Sequence, residues 1–318
     1  MNRNQENPHW VITRRVFLKA SAASLAAVAT SCAALRGPAR GTARFGIVTD
    51  VHYADIDTRG TRHYRDSLAK LTECVDLMNA QKVDFLVHLG DFKDLHPADD
   101  RQSAADNTIA DLRLIEGIFQ RGRAPRYHVL GNHDEDCVSK AQFLANVKNS
   151  RIPADRSYYS FDRHGLHFVV LDANYLADGT DYDCGNFDWR HPNVPPEELA
   201  WLEADLAGAP GPVVGFIHQR LDGAGDLHVD NAAEVRHVLE ASGKVLAVFQ
   251  GHHHAGGYSR LEHIHYYTLK GMIEGPGPDT SAYAVVEVLP NRTIVVTGYR
   301  TADSKELAGT GAPVEQPT

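Results

Sequence analysis

Five short stretches of the chain carry side chains that bind metal ions: Asp50-Val51-His52, Gly90-Asp91, Gly131-Asn132-His133-Asp134, His218, and Gly251-His252-His253-His254. Each follows a strand-like apolar run. Side chains that leave the C-terminal ends of neighbouring strands converge on one crevice. That crevice would hold two Asp, one Asn and several His. A mixed set of carboxylate and imidazole donors suits Mn, Fe, Zn or a similar divalent ion. Taken singly, each stretch has an ordinary reading. Asp-x-His is an exposed pair or a cap, Gly-Asp a turn, Asn132 a helix cap, His218 a satisfied histidine, and 252–254 a solvated loop. Their order along the chain and their shared strand-end setting favour a metal site, because chance rarely delivers five such stretches in succession.

The elements that must position these residues follow from the hydrophobic periods. Residues 44–49 read as a strand. Residues 65–80 carry Leu68, Leu71, Val75 and Met78 at helical spacing. Further strands are expected at 83–89, 127–130, 213–217 and 245–249, and helices at 103–120, 196–206 and 232–240. Residues 158–161 and 167–171 look like a hairpin pair. After residue 250 only strands are expected, at 264–269, 282–288 and 293–299. Strands alternating with helices and then followed by hairpins predict an α/β chain, with two packed sheets and helices outside. The loop 174–196 is long and carries Tyr175, Tyr182, Phe187 and Trp189. Such a loop inside a compact domain usually serves as a lid or a binding loop. One domain is expected over 43–300, with a polar, flexible tail over 301–318.

Composition narrows the classes. The chain has 318 residues, of which 43% are hydrophobic and 23% charged, which excludes a disordered or collagen-like chain. Four cysteines are too few for a disulfide scaffold. Cys74 shares the apolar helix face with Leu71, Val75 and Met78. Cys137 and Cys184 fall in loop-like segments, and whether they pair is open. A net charge of -9 is a poor fit to nucleic-acid binding, and no basic patch is evident, whereas 18 His favour metal binding. Residues 1–36 read as a leader. Thr13-Arg14-Arg15-Val16-Phe17-Leu18-Lys19 resembles the twin-arginine signal, and the alanine-rich stretch after it is too short and too weakly apolar to span a bilayer well. The resemblance implies the twin-arginine export machinery as a partner and a bacterial periplasm or cell envelope as destination. Cys32 after Ala29-Thr30-Ser31 resembles a weak lipobox, so a lipid anchor at Cys32 and plain cleavage nearby both stand. Removing the leader takes away five Lys/Arg and one Glu, leaving a net charge of -13.

The ordered set of motifs, over 43–299, resembles the calcineurin-like metallophosphoesterase superfamily. The resemblance implies a four-layer αββα sandwich, two mixed β-sheets flanked by helices, around two metal ions. Carried over by position, it assigns Asp50, His52, Asp91 and His254 to one ion. Asp91, Asn132, His218 and His252 go to the other, with Asp91 bridging. His133 matches the non-ligand histidine that contacts phosphate and protonates the leaving group. Asp134 is expected to orient His133, and His253 to point away. Two such cations would lower the pKa of a bound water toward neutrality and so supply a nucleophile for phosphorus. The cations and His133 then neutralise the growing phosphoryl charge. Asp94 stands where purple acid phosphatases carry an iron-binding Tyr, which argues against a purple Fe(III) enzyme.

Three stretches add a finer resemblance: Tyr53 to Asp57 leading into Gly60 to Leu68, Gly251 to Tyr258, and Lys270 to Pro276. Together they look like the manganese-dependent ADP-ribose/CDP-alcohol diphosphatases. That group usually carries Gln where this chain has His52. The resemblance implies a phosphorylated small-molecule substrate of the nucleoside-diphosphate type. Arg62 and Arg65 are forked donors near the first metal motif and are expected to grip phosphate, with a solvated helix start as the alternative. Tyr175 and Trp189 are expected to stack on a base or line the cleft, with ordinary packing as the alternative. The same site could serve a general phosphomonoesterase or a cyclic-nucleotide phosphodiesterase. A non-catalytic binding protein on this fold is a further class, disfavoured because every ligand and His133 are present.

Overall fold

The computed structural model describes residues 43–309; the leader with its twin-arginine motif and Cys32 lies outside the described residues, as do 310–318. Parallel strands need long crossovers, and helices supply them here. Strand β1 (Ala43–Val48) pairs in parallel with β2 (Phe85–His88), and β2 with β3 (Arg126–His128). Helices α1 (Ser67–Gln81) and α2 (Arg101–Phe119) make these crossovers. On its other side β1 pairs antiparallel with β10 (Ala282–Val288), which continues to β11 (Ile294–Arg300) and β12 (Lys305–Leu307).

The second sheet opens with the hairpin β4 (Tyr159–Arg163) and β5 (Leu166–Val170). Strands β6 (Val213–Phe216), β7 (Val245–Gln250) and β9 (Ile264–Thr268) follow β5 in parallel, and β8 (Gly257–Leu261) closes the edge antiparallel to β9. Helices α4 (Pro196–Gly208) and α5 (Ala232–Ala241) connect β5, β6 and β7.

Three apolar seams hold the layers. Between the sheets, Phe45 stacks on Phe85 at 4.9 Å and meets Phe168, Phe216 and Phe249 edge-on at 5.7, 5.6 and 5.8 Å. These geometries are the favoured ones for aromatic rings. Leu71, Met78, Leu112 and Phe119 fasten α1 and α2 to the first sheet, and Leu202, Leu206, Val235 and Leu239 fasten α4 and α5 to the second. The result is the expected αββα sandwich of two mixed sheets.

The structure also departs from the periodicity. Asp100 caps α2 by accepting from the Ser103 amide, so that helix begins two residues before its apolar pattern does. Helix α3 (Lys140–Asn146) was not expected; it spans seven residues and is set by a Ser139 and Gln142 capping box rather than by a stripe. Strand β8 escaped notice because it is an exposed edge. Of the flexible tail expected over 301–318, residues 310–318 lie outside the described residues, and 301–309 are corrected: β12 pairs with β11, and Leu307 is 1% exposed in the inter-sheet core. One apolar residue among polar neighbours gave no period to read.

Candidate metal centre

Every motif sits where a parallel strand ends. Asp50 and His52 follow β1, Asp91 follows β2, and Asn132 and His133 open a single 3-10 turn (Asn132–Glu135) after β3. His218 follows β6, and His252 and His254 follow β7. Both sheets therefore contribute, and their C-terminal ends face one crevice.

The backbone there is strained. Asp50, His52, Asp91 and His252 have φ of 51°, 45°, 56° and 66°. Left-handed non-glycine residues cost on the order of 1–3 kcal/mol each and cluster at functional sites. Amides hold the turns: Asp50 donates to the Gly90 carbonyl at 3.0 Å and His52 to that of Asp91 at 2.9 Å. Two glycines are required by close approach. A Cβ on Gly90, at φ 98°, would overlap the His218 ring, and one on Gly131 would overlap the Asp91 carboxylate.

Four donor groups result among the described residues, each with its atoms within 4.8 Å of one another: two include His133 (His52/Asp91/His133 and Asp94/His133/Asp136), and two hold the expected ligands, Asp50/His52/His254 and Asp91/His218/His252. Asp91 Oδ2 lies between them, 3.4 Å from His52 Nε2 and 3.1 Å from His218 Nε2. Asp50 Oδ1 is 3.3 Å from His254 Nε2. Three imidazoles are turned by their other nitrogen. Nδ1 of His52 meets Asp94 at 3.2 Å, that of His218 the Leu89 carbonyl at 2.8 Å, and that of His254 Glu274 at 2.6 Å. Such partners fix the ring and leave Nε2 to the centre. Asn132 Oδ1, Asp50 Oδ1, His218 Nε2 and His252 Nε2 are buried without a hydrogen bond.

The carboxylates draw positive charge. Burial opposes a charged ring at His218 and His254, yet Asp91 raises the first and Asp50 the second to about 9. Burial, then the nearby charge of His218, lowers His252 to about 3. At His133 burial is outweighed by Asp94 and Asp91, with Asp136 adding a hydrogen bond, and its pKa stands well above the ordinary value. His133 Nδ1 is 3.0 Å from Asp136 and 3.5 Å from Asp94, and its amide donates to Asp91 at 2.7 Å.

The centre opens into a cleft of about 300 Å³ walled by Arg62, His133, Trp189 and Leu227. Arg62 lies 3.8 Å from Asp94, and the Trp189 ring is 6.1 Å from that of His252. Phe187 approaches His133 at 5.7 Å. Three expectations are corrected. Arg65 is spent on Asp55 and Asp57 at the surface and does not line the cleft. Tyr175 is buried beneath the Lys140 ammonium, 3.5 Å from its ring centre, outside the cleft. Asp134 does not orient His133; it accepts from the amides of Gly131, Asp91 and Phe92 and so pins two ligand loops together. His253 lies outside all four donor groups. Asp136, Glu274 and Leu227 were missed, as was the role of Asp94 between two histidines.

Comparison with known proteins identifies the family. The chain is 29% identical over 305 residues to a manganese-dependent ADP-ribose/CDP-alcohol diphosphatase of Oryza sativa subsp. japonica, covering 82% of this chain and 92% of that one. It is 24% identical over 269 residues to a "probable cyclic nucleotide phosphodiesterase" of Fibrobacter succinogenes, covering 82% and 92%. The fold is similar to the crystal structure of a dimetal phosphatase from Danio rerio, with a TM-score of 0.71 at 23% identity, covering 84% of this chain and 98% of that one. The calcineurin-like phosphoesterase family matches residues 43–256, two-thirds of the chain, and the protein belongs to it.

Proposed function

We propose that the chain hydrolyses phosphoric ester or anhydride bonds with two divalent ions, one held by Asp50, His52, Asp91 and His254 and the other by Asp91, Asn132, His218 and His252. The observation that carries this reading is the convergence of two donor groups on Asp91 at the ends of strands from both sheets, with Asn132 Oδ1, Asp50 Oδ1, His218 Nε2 and His252 Nε2 among the buried polar atoms that have no hydrogen bond. Such atoms cost roughly 1–3 kcal/mol each when nothing takes them. The donor mix fits Mn, Fe or Zn. When bound, two such ions supply Lewis-acid charge and a water activated near neutral pH.

The rest falls to the chain's own residues. His133 keeps Nδ1 on Asp136, so Nε2 is the atom that delivers a proton to the leaving oxygen. Asp94 and Asp136 hold that proton on the ring until it is needed. Arg62 at the cleft wall supplies a guanidinium for a phosphate that is not being cut, and Trp189 offers a ring face to a base. These two support a nucleoside-diphosphate-type substrate, in keeping with the name of the rice relative. A cyclic-nucleotide diester is the second reading, favoured by the Fibrobacter relative. The leader motif supports export of the folded protein to the periplasm or envelope, ended by cleavage or by a lipid on Cys32.

The test is kcat/KM in Mn²⁺ for ADP-ribose, CDP-choline, a cyclic nucleotide and an aryl phosphate monoester, side by side. The diphosphates are expected to lead by about 100-fold or more, since a cyclic nucleotide lacks the second phosphate for Arg62 and an aryl monoester lacks both that phosphate and a base for Trp189. A lead by the cyclic nucleotide would install the second reading. A lead by the monoester would end the nucleotide assignment and leave a general phosphatase.

A further inference from the structure

Beside the metal cleft, two cysteines face one cavity of about 410 Å³. Its walls come from Arg101 and Ala105 of α2, from Cys137 and Ser139 leading into α3, and from Asp183 and Cys184 of the loop 174–196. Both cysteines are free thiols. Cys137 is buried, with Sγ 3.8 Å from Thr108 Oγ1, and Cys184 is half-buried. Burial raises the Cys137 thiol pKa, and the proximity of Cys184 adds to the rise. Neither residue lies in a strand or helix, so neither is fixed in register.

The loop tip is tied mainly to itself. The Asp183 amide donates to Asn186 at 2.6 Å, and Asn186 donates to the Asp181 carbonyl at 2.9 Å. Cys184 offers its carbonyl to the Arg101 guanidinium of α2. Yet this tip leads, three residues on, to Phe187 against His133, and then to Trp189 in the cleft wall. Cys137 in turn follows Asp136, whose carboxylate receives His133 and the Lys93 ammonium.

We propose that Cys137 and Cys184 form a disulfide that pins the aromatic wall of the cleft to the segment carrying His133. Cys184, the more open thiol, attacks a disulfide oxidant as its thiolate and releases one small thiol. Cys137 then gives up its proton and attacks the Cys184 sulfur, releasing the second. Two protein thiols lose two electrons, and one small disulfide is reduced to two thiols. Cys74 cannot compete: it is 1% exposed in the core under α1, and burial pushes its pKa up. The bond is independent of the chemistry assigned to the cleft.

The full chain would be equilibrated with oxidised glutathione or with dithiothreitol, alkylated, and digested for mass spectrometry without reduction. Oxidation is expected to give one cross-linked peptide joining Cys137 to Cys184. Amide exchange over 182–190 is expected to slow about tenfold or more. Cys184→Ser should show neither effect and should keep wild-type turnover under reducing conditions. A glutathione adduct on Cys184 with Cys137 still alkylated would overturn the pairing. A cross-link that leaves exchange over 182–190 unchanged would overturn the tether.

Discussion

His133 is the residue on which the proposed chemistry turns, and Asp94 and Asp136 are why it carries a proton. His133→Asn is expected to lower kcat by about 10²- to 10⁴-fold, the range of a lost general acid, with two metals per chain retained. Metal loss at unchanged turnover per bound ion would make His133 a ligand instead. Glu274 works at a remove: it holds His254 Nδ1, and His254 in turn lowers its pKa to about 2. Glu274→Gln is expected to weaken Mn²⁺ binding about 10- to 100-fold, read by calorimetric titration. At this scale the sequence was most legible for residues such as Asp50, His52 and His252, whose stretches recur in order at successive strand ends. It was least legible for carboxylates that serve a histidine. Asp136 reaches His133 because side chains three apart eclipse on a 3-10 turn, whereas adjacent Asp134 turns back onto the loops. Nothing in the composition separates Asp136 or Glu274 from a solvated acid. Arg65 looked equivalent to Arg62, but only contacts with Asp55 and Asp57 reveal which of the two is free for the cleft.

Elements place these residues through strand order. Five parallel strands end at the centre, three from one sheet and two from the other, and each was readable as a buried apolar run. Strands β8 and β12 were not, because an edge strand needs few buried residues. The seam between β4, β5 and α4 carries a titratable joint. His167 sits between Asp205 of α4 at 2.7 Å and Asp162 of β4 at 2.8 Å. Its hydrogen bond to Asp205, with burial opposing and Asp162 assisting, raises its pKa above the ordinary value. A raised histidine contributes stability that is fully present below the unfolded value of about 6.5 and is lost as pH rises through the folded value. His167→Gln is therefore expected to lower Tm more at pH 5.5 than at pH 9 in chelator. An equal loss at both pH values would assign the effect to packing alone.

Across the whole molecule, the net charge of -9 would repel a phosphate ester unless the site supplied its own cations. The ligand loops come from both sheets, so the site's geometry depends on the phenylalanine seam that fixes one sheet against the other. That dependence could not be read before the fold was known: apolar periods identify strands but not which sheet each joins. The order of motifs carried the architecture further than any period did, because it carries the resemblance to the calcineurin-like phosphoesterases, and that resemblance implies the αββα sandwich. That two ions act together in one site is tested by a Mn²⁺ titration of the chelator-stripped full chain. Turnover of the substrate ranked first by the kcat/KM comparison would be followed at each step. No turnover is expected without metal, and turnover should reach its plateau at two ions per chain, with Asp91→Asn weakening both metal binding and turnover. Undiminished turnover after stripping, or a plateau at one ion, would contradict a two-ion site.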